Sequence, residues 1–172
     1  KTHLKAYFFL SVLIFSYLGL MLLHTEPFVK VFFAVVAGFA SAGIGFNVLH
    51  DGGHQSFSSS RKLCRLAAYS QELLGCSSYV WKYKHNVAHH CYPNVHNHDS
   101  DCDLEPVARV SPHQKKRPHY RYQHIYLWPL YLFTHLKWFI YDDFRDLWRC
   151  RIGQLNIPPM ELSDKIIFFV SI

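Results

Sequence analysis

The sequence is poor in acidic residues and has no paired cysteine motif. Its 172 residues include 12 Asp and Glu against 18 Lys and Arg, and no acidic residue lies between Pro106 and Tyr141. The five cysteines are an odd number without a C-x-x-C pair, which excludes a disulfide scaffold and is typical of a reducing compartment. Disorder is also excluded, because half of the residues are hydrophobic. Histidine, in contrast, occurs 13 times and outnumbers the acidic residues.

Two long apolar runs lie near the N-terminus, over residues 4–23 and 28–49, with a short polar break between them. Their formal charges, Lys5 and Lys30, lie close to the start of each run. Each run can cross a bilayer, because about 20 helical residues span the ~30 Å hydrocarbon layer. A signal peptide is disfavoured, since the first run is too long and lacks a small-residue cleavage site. The sequence therefore predicts an all-α fold that begins with a transmembrane helical hairpin.

Small residues recur four apart in the second run, at Ala34, Gly38 and Ala42, and offset from these at Ser41 and Gly45. Small side chains let helix backbones approach closely within lipid. The spacing therefore predicts a close helix approach along this face.

The rest of the chain is mostly polar. Residues 50–124 are His-rich, and basic residues gather at the end of this segment. This pattern predicts a helical cap on the cytoplasmic side, whose basic residues attract anionic lipid headgroups. A nucleic-acid site is disfavoured, because the basic segment lies between membrane segments. Residues 125–141 predict an interfacial helix or, alternatively, a short membrane helix. A polar loop is predicted over 142–164, and the start of a further transmembrane helix over 165–172. Because the sequence stops within that run, we expect it to be the first part of a larger protein.

Five of the histidines form two groups with helical spacing. His50 and His54 are four residues apart at the end of the second run, and His85 and His89 repeat that spacing beside His90. Residues four apart share one face of an α-helix, whereas His90 is turned about 100° from His89. Two such groups exceed what one zinc ion usually takes. They predict a metal site, and imidazole alone does not select among iron, copper, zinc and nickel.

Other metal-site patterns fail on particular residues. A zinc-protease H-E-x-x-H helix needs a glutamate after the first histidine, where this sequence has Asp51 and Asn86. Asp99, Asp101 and Asp103 resemble the start of an EF-hand loop, but the required glycine and glutamate are absent. These acidic residues are better interpreted as acceptors that orient ligand imidazoles.

The combination of a hydrophobic hairpin, H-x3-H after the second span and H-x3-HH about thirty residues later resembles the integral-membrane fatty acid desaturases. The segments KHNVAHHCYPNVHNHDSDCD and RYQHIYLWPLY are similar to the front-end, linoleoyl-CoA desaturase-like branch. The resemblance implies a di-iron centre on the cytoplasmic face, with five iron ligands: His50, His54, His85, His89 and His90. The family's third histidine box is missing from this sequence. We expect it past Ile172, beyond two further spans, so that this chain alone is inactive.

The resemblance also implies the reaction and its participants. The expected enzyme uses O2 to introduce a double bond into an acyl-CoA or acyl-lipid chain, with electrons from a donor such as cytochrome b5 or ferredoxin. The expected location is the endoplasmic reticulum or a bacterial inner membrane. Candidates for orienting the ligands are Asp51, Asn86, His98, Asp99, Asp101 and His124. Candidates for contacting substrate or donor are Arg109, Lys115, Lys116 and Arg117.

Two alternatives remain open from the sequence. One is a hydroxylase or oxygenase acting on fatty acids, sterols or carotenoids with the same histidine boxes. The other is a membrane metal-binding protein without enzymatic activity. A transporter usually has charged residues that line a path within its membrane spans. Transport is disfavoured here, because the formal charges of the two runs, Lys5 and Lys30, lie close to the start of each run.

Overall fold

The computed structural model describes residues 2–171 and is built mostly of helices. Lys1, which precedes the first apolar run, and Ile172, the last residue of the predicted run 165–172, lie outside the described residues. The α-helices are α1 Thr2–Leu22, α2 Pro27–Ile44, α3 His50–Gly53, α4 Arg61–Ala68, α5 Ser70–Leu73, α6 Ser78–Trp81, α7 Gln123–Lys137, α8 Asp143–Arg149 and α9 Leu162–Ser171. Within residues 2–171 the strands are β1 Arg151–Ile152 and β2 Leu155–Asn156, which form one antiparallel hairpin. The predicted all-α fold is confirmed.

Wider and tighter helical turns connect some of these elements. Within the described part of the chain, three segments are π-helical, namely Gly45–Leu49, Lys82–His89 and Trp138–Asp142. Two segments of that part are 3-10 helices, Ser100–Cys102 and Pro118–Tyr122. The chain divides between Leu74 and Gly75 into two compact units.

The first unit is dominated by two long apolar helices. They cover Thr2–Leu22 and, continuously through the first π-helical segment and α3, Pro27–Gly53. Both are long and apolar enough to cross a membrane, and only 17% and 28% of their most apolar windows are buried in the structure. A core helix of a soluble protein is buried over most of its length. Their length, composition and exposure are compatible with transmembrane segments.

The helix hairpin closes on a face other than the predicted small-residue face. Gly38 has open space around it, and Ala34 and Ala42 are exposed. The close approach lies instead at Gly43, where an added Cβ would meet the ring of Phe9 at 2.2 Å. A small residue does allow the close approach, as predicted, but it lies on a different face of the helix. Four-residue spacing alone does not select which face meets the partner helix.

The first unit places α3 against α4. Its core consists of Ala6, Ile44, Val48 and Ala67, so the end of the long helix packs on both α1 and α4. The buried Gly52 in α3 allows this approach, because a Cβ there would lie 2.5 Å from the backbone nitrogen of Ala68. Backbone atoms cannot move aside as a flexible side chain does.

The second unit has its own small core. Tyr79 and Val80 of α6 pack with Ile152 of the hairpin and with Ile157, and Tyr83 borders this cluster. The β-hairpin and α8 thus support the helix that leads from α6 into the second histidine group. The structure differs here from the predicted polar loop over 142–164, which contains α8 and the hairpin. The loop prediction rested on Gly153 and on Pro158-Pro159, and Gly153, with a φ of +56°, forms the hairpin turn.

Residues 125–141 lie mainly in α7, which continues into the π-helical segment up to Asp142. Its apolar side chains are exposed; Trp128 and Leu132 are 73% and 77% accessible. The position of this helix, in the interface or across the membrane, stays a prediction.

Candidate metal centre

The first histidine pair lies at the end of the long helix of the first unit. The backbone N–H of His54 donates to the carbonyl of His50 at 3.0 Å, which closes one helical turn between them. Their ring centroids are 4.5 Å apart, so both imidazoles lie on one face, as the four-residue spacing predicts. The helix ends directly afterwards, where Gln55 takes a left-handed φ of 57°.

Asp51 lies between these two histidines. Its carboxylate is 3.8 Å from Nδ1 of His50. Its backbone carbonyl accepts the N–H groups of Ser56 and Phe57, at 2.8 and 3.1 Å. The chain after the helix is thereby folded back onto the pair.

The second histidine group, in the second unit, lies on a π-helical segment rather than on an α-helix. His85 and His89 belong to Lys82–His89, and His90 follows directly. A π-helix has i→i+5 hydrogen bonds, so residues five apart come above one another. The Nε2 atoms of His85 and His90 accordingly lie 3.1 Å apart. From α-helical periodicity, His90 is expected to be turned about 100° from His89; the π-helical turn in addition brings it close to His85.

Stacking fixes the ring of His85. The indole of Trp81 stacks on one side with centroids 4.4 Å apart, and the imidazole of His89 stacks on the other at 5.4 Å, both at 19°. Trp81 was not singled out from the sequence, although it lies four residues before His85. That spacing is the signal that could have identified it.

A buried carboxylate holds His89. Nδ1 of His89 lies 3.1 Å from Oδ2 of Asp99, and Asp101 approaches the same nitrogen at 3.6 Å. The backbone N–H groups of Asn94 and Asp101 donate to Asp99 at 2.8 and 3.0 Å. Asp99 is 2% exposed and is therefore enclosed by donors.

The ionisation of Asp99 follows from these contacts. Burial raises the pKa of Asp99, but the backbone N–H groups of Asn94 and Asp101 and the contact with His89 outweigh it and hold this pKa below its usual value. The carboxylate is therefore ionised near neutral pH and accepts the Nδ1 proton of His89. In the neutral imidazole with its proton on Nδ1, Nε2 carries the lone pair, which is the arrangement of histidines that bind metals.

The closest pair of donors in the second group fits a metal ion. When two nitrogen ligands lie about 2.1 Å from one metal ion and the nitrogen–metal–nitrogen angle is about 90°, the two nitrogens are roughly 3 Å apart. The separation of 3.1 Å between Nε2 of His85 and Nε2 of His90 matches that geometry. All these ligand candidates are imidazoles, which suit iron as well as other transition metals.

The remaining residues that were predicted to orient ligands have different environments. Asn86 is half-buried on the π-helical segment between His85 and His89. His98 is exposed in the following loop, with its ring 5.0 Å from that of Tyr92. His124 is exposed on the first turn of α7.

An acidic cluster that was not predicted from the sequence, Asp142, Asp143 and Asp146, supports the start of α6. The N–H of Ser77 donates to Oδ2 of Asp143 at 2.6 Å, and the Ser77 hydroxyl caps α6 by accepting from Val80. Burial, followed by the nearby Asp146 and Asp142, outweighs the contacts with Ser77 and Lys84 and raises the pKa of Asp143 to about 6. The only signal in the sequence is the spacing of these three acids within one helical turn or so.

Three of the four predicted substrate or donor contacts line one cavity of the second unit. Arg109, Lys116 and Arg117 lie around a cavity of about 680 Å³. Lys115, the fourth predicted contact, is not among the described residues that line this cavity.

Comparison with known proteins gives the following matches. A model of the fatty acid desaturase family matches residues 26–171. The chain is similar to an sn-1 linoleoyl-lipid 6-desaturase of Synechocystis sp., with 35% identity over 133 residues, or 77% of this chain and 37% of that protein. It is also similar to an acyl-lipid (8-3)-desaturase of Physcomitrium patens, with 34% identity over 168 residues, or 96% of this chain and 35% of that protein.

The chain thus spans about a third of the length of the curated relatives it matches. No solved structure matches it.

Proposed function

Because the chain belongs to the fatty acid desaturase family, we propose that it forms part of a membrane enzyme that introduces a double bond into an acyl chain. The observation that carries this proposal is the second histidine group. The stacked His85, the close Nε2 pair and the carboxylate-held His89 together present imidazole nitrogens in fixed directions. Fixed imidazoles are what a redox metal site requires.

The proposed ligands are His50 and His54 from the first unit and His85, His89 and His90 from the second. Asp99 keeps the proton of His89 on Nδ1, so that Nε2 is available as a ligand. Trp81 restricts rotation of the His85 ring by stacking. Asp101 and Asp51 are proposed to assist this orientation, since their carboxylates lie 3.6 and 3.8 Å from imidazole nitrogens.

Two iron ions held by these histidines would supply the oxidising chemistry with O2 that removal of hydrogen from an unactivated C–H bond needs. In the overall reaction, –CH2–CH2– becomes –CH=CH–. O2 takes up the two hydrogen atoms removed from the acyl chain, together with two electrons from a donor and two protons, and leaves as two waters. No acid or base among the side chains could perform this reaction alone, which is why imidazole ligation matters.

The membrane context favours an acyl substrate. The two long apolar helices expose their side chains as lipid-facing helices do, and an acyl chain is equally apolar. We propose that the substrate is an acyl-lipid or acyl-CoA and that a cytochrome b5-like or ferredoxin-like protein supplies electrons. We further propose that the histidines face the cytoplasm, because of the basic residues near the end of the polar region.

Product analysis with the intact protein in cells tests this function. The wild type is expected to yield an unsaturated product, and His89→Ala is expected to abolish it while the protein remains in the membrane fraction. His24→Ala is the matched control, because His24 is an exposed histidine between α1 and α2.

Three results would contradict the proposal. A hydroxylated product without an alkene would favour the hydroxylase alternative. Full activity of His89→Ala would remove His89 from the ligands. Zinc without iron in the active wild-type protein would exclude the iron chemistry.

A further inference from the structure

A basic cavity in the second unit has the composition of an anion site. It measures about 680 Å³ and is lined by four cationic side chains and two neutral polar ones: Arg109, Lys116, Arg117, Arg121, Tyr120 and Gln123. Ligand cavities for small molecules are typically about 300–1,000 Å³. The cavity is therefore large enough for a phosphate and the group that carries it.

The cations of this cavity lack acidic partners. Within residues 2–171, none of the four forms an ion pair with a carboxylate. The sequence explains this, because the stretch from Pro106 to Tyr141 contains no acidic residue. Four positive charges around one cavity repel one another unless an anion enters.

Arg109 is held in place rather than extended into solvent. Its guanidinium donates to the carbonyls of Pro112 and Gln114, at 2.7 and 2.9 Å. Its backbone is clamped by the side-chain amide of Gln123, which accepts from the N–H and donates to the carbonyl, both at 3.0 Å. Arg121 is also restrained, since its guanidinium lies 4.5 Å from the ring centre of Tyr122. Such preorganisation reduces the entropy that binding costs.

Tyr120 provides a second, independent indication of a ligand. Tyr120 lines the cavity and is 7% exposed, yet among the described residues its hydroxyl has no hydrogen-bond partner. A buried hydroxyl without a partner is unfavourable, because its desolvation is not compensated. A phosphate oxygen in the cavity would accept this hydrogen bond.

The position of the cavity in the chain favours a lipid as the source of the phosphate. The segment Pro118–Tyr122 leads directly into α7, whose apolar side chains, such as those of Trp128 and Leu132, are exposed. A helix of this kind contacts the acyl region of a membrane. The cavity at its beginning then lies at the level of the headgroups.

We infer that this cavity binds a phosphate group, and that the headgroup of a membrane phospholipid supplies it. Lys116, Arg117 and Arg121 neutralise its charge, and the Tyr120 hydroxyl donates to one of its oxygens. The lipid as source rests on the membrane location given under the proposed function. Phosphate binding itself needs no catalysis, so it can fail or succeed independently of desaturation.

The test is a binding measurement on the intact protein in an uncharged detergent. The probes are dihexanoyl phosphatidic acid, dihexanoylglycerol, which lacks the phosphate, and inorganic phosphate. Lys116→Gln is expected to weaken binding of the phosphatidic acid by about three- to tenfold, as loss of a charge-assisted contact does. Tyr120→Phe is expected to weaken it by about threefold or more. Lys115→Gln is the matched control: it removes the same charge from the adjacent position, which does not line the cavity, and is expected to weaken binding by less than about twofold.

The outcomes separate the possible ligands. Binding of both phosphate probes with the same dependence on Lys116 supports the phosphate site, and tighter binding of the lipid supports the headgroup as source. Equal binding of inorganic phosphate supports a soluble phosphate compound instead. Equal binding of dihexanoylglycerol would overturn the inference, as would equal effects of the two lysine variants. A Lys116→Gln variant that binds phosphatidic acid normally but accepts electrons slowly from an acidic donor protein would overturn it in favour of a protein partner.

Discussion

Replacing Asp99 by asparagine changes one atom of the carboxylate that holds His89 and adds little volume. One oxygen of Asp99 accepts from the N–H of Asn94 and from Nδ1 of His89, and the other accepts from the N–H of Asp101. Asparagine has one acceptor oxygen, and its NH2 group must then face at least one N–H donor. Either orientation of the amide leaves a buried donor without an acceptor.

The size of the effect follows from these contacts. One buried donor without a partner reduces stability by about 1–3 kcal/mol. Loss of the acceptor also frees the ring of His89 and its choice of tautomer. Removing such a partner from a metal-binding histidine typically weakens metal affinity by about 10–100-fold.

The assay is a competition between the intact protein and a coloured iron(II) chelator, with helix content checked by circular dichroism. Asp103→Asn is the matched control, because Asp103 is an exposed aspartate four residues later in the same loop. We expect its iron affinity to stay within about twofold of the wild type, as for other exposed charges. An Asp99→Asn protein that is folded and binds iron within about twofold of the wild type would refute the role of Asp99.

Two further predictions concern stability. Asp143→Asn is expected to raise the thermal midpoint relative to the wild type more at pH 7 than at pH 4.5. Because the pKa of Asp143 in the folded protein is raised to about 6, the free energy of unfolding of the wild type falls by about 1–3 kcal/mol as the pH rises from about 4 through 6. Asparagine can still accept from Ser77 without an ionisation cost. Gly52→Ala is expected to lower stability by about 1–3 kcal/mol, because its Cβ would meet backbone of α4. Gly38→Ala, in open space, is expected to be neutral or stabilising by about 0.5–1 kcal/mol.

Each of these has a clear contrary result. The reasoning on Asp143 fails if the difference in thermal midpoint between variant and wild type is independent of pH. The reasoning on the close approach fails if both alanine variants have the same thermal midpoint.

Sequence patterns predicted the main helices well where length and apolar content decide the structure. The run predicted over 4–23 forms α1, and the run over 28–49 forms the long helix up to α3. The polar loop predicted over 142–164 contains short elements instead. A two-residue strand such as β1 has too few residues for a periodic pattern, and its formation depends on the packing of Ile152 in the core of the second unit.

Residue type and spacing were enough to predict the two apolar helices, the grouping of the histidines and the family. These depend on residue type and spacing, which are local properties of the chain. Tertiary structure alone decided which groups meet within each unit. The π-helical turn brings His90 to His85, and a loop returns Asp99 to His89. Helical phase and loop closure depend on packing over distances that a linear pattern does not contain, so only the folded chain specifies them.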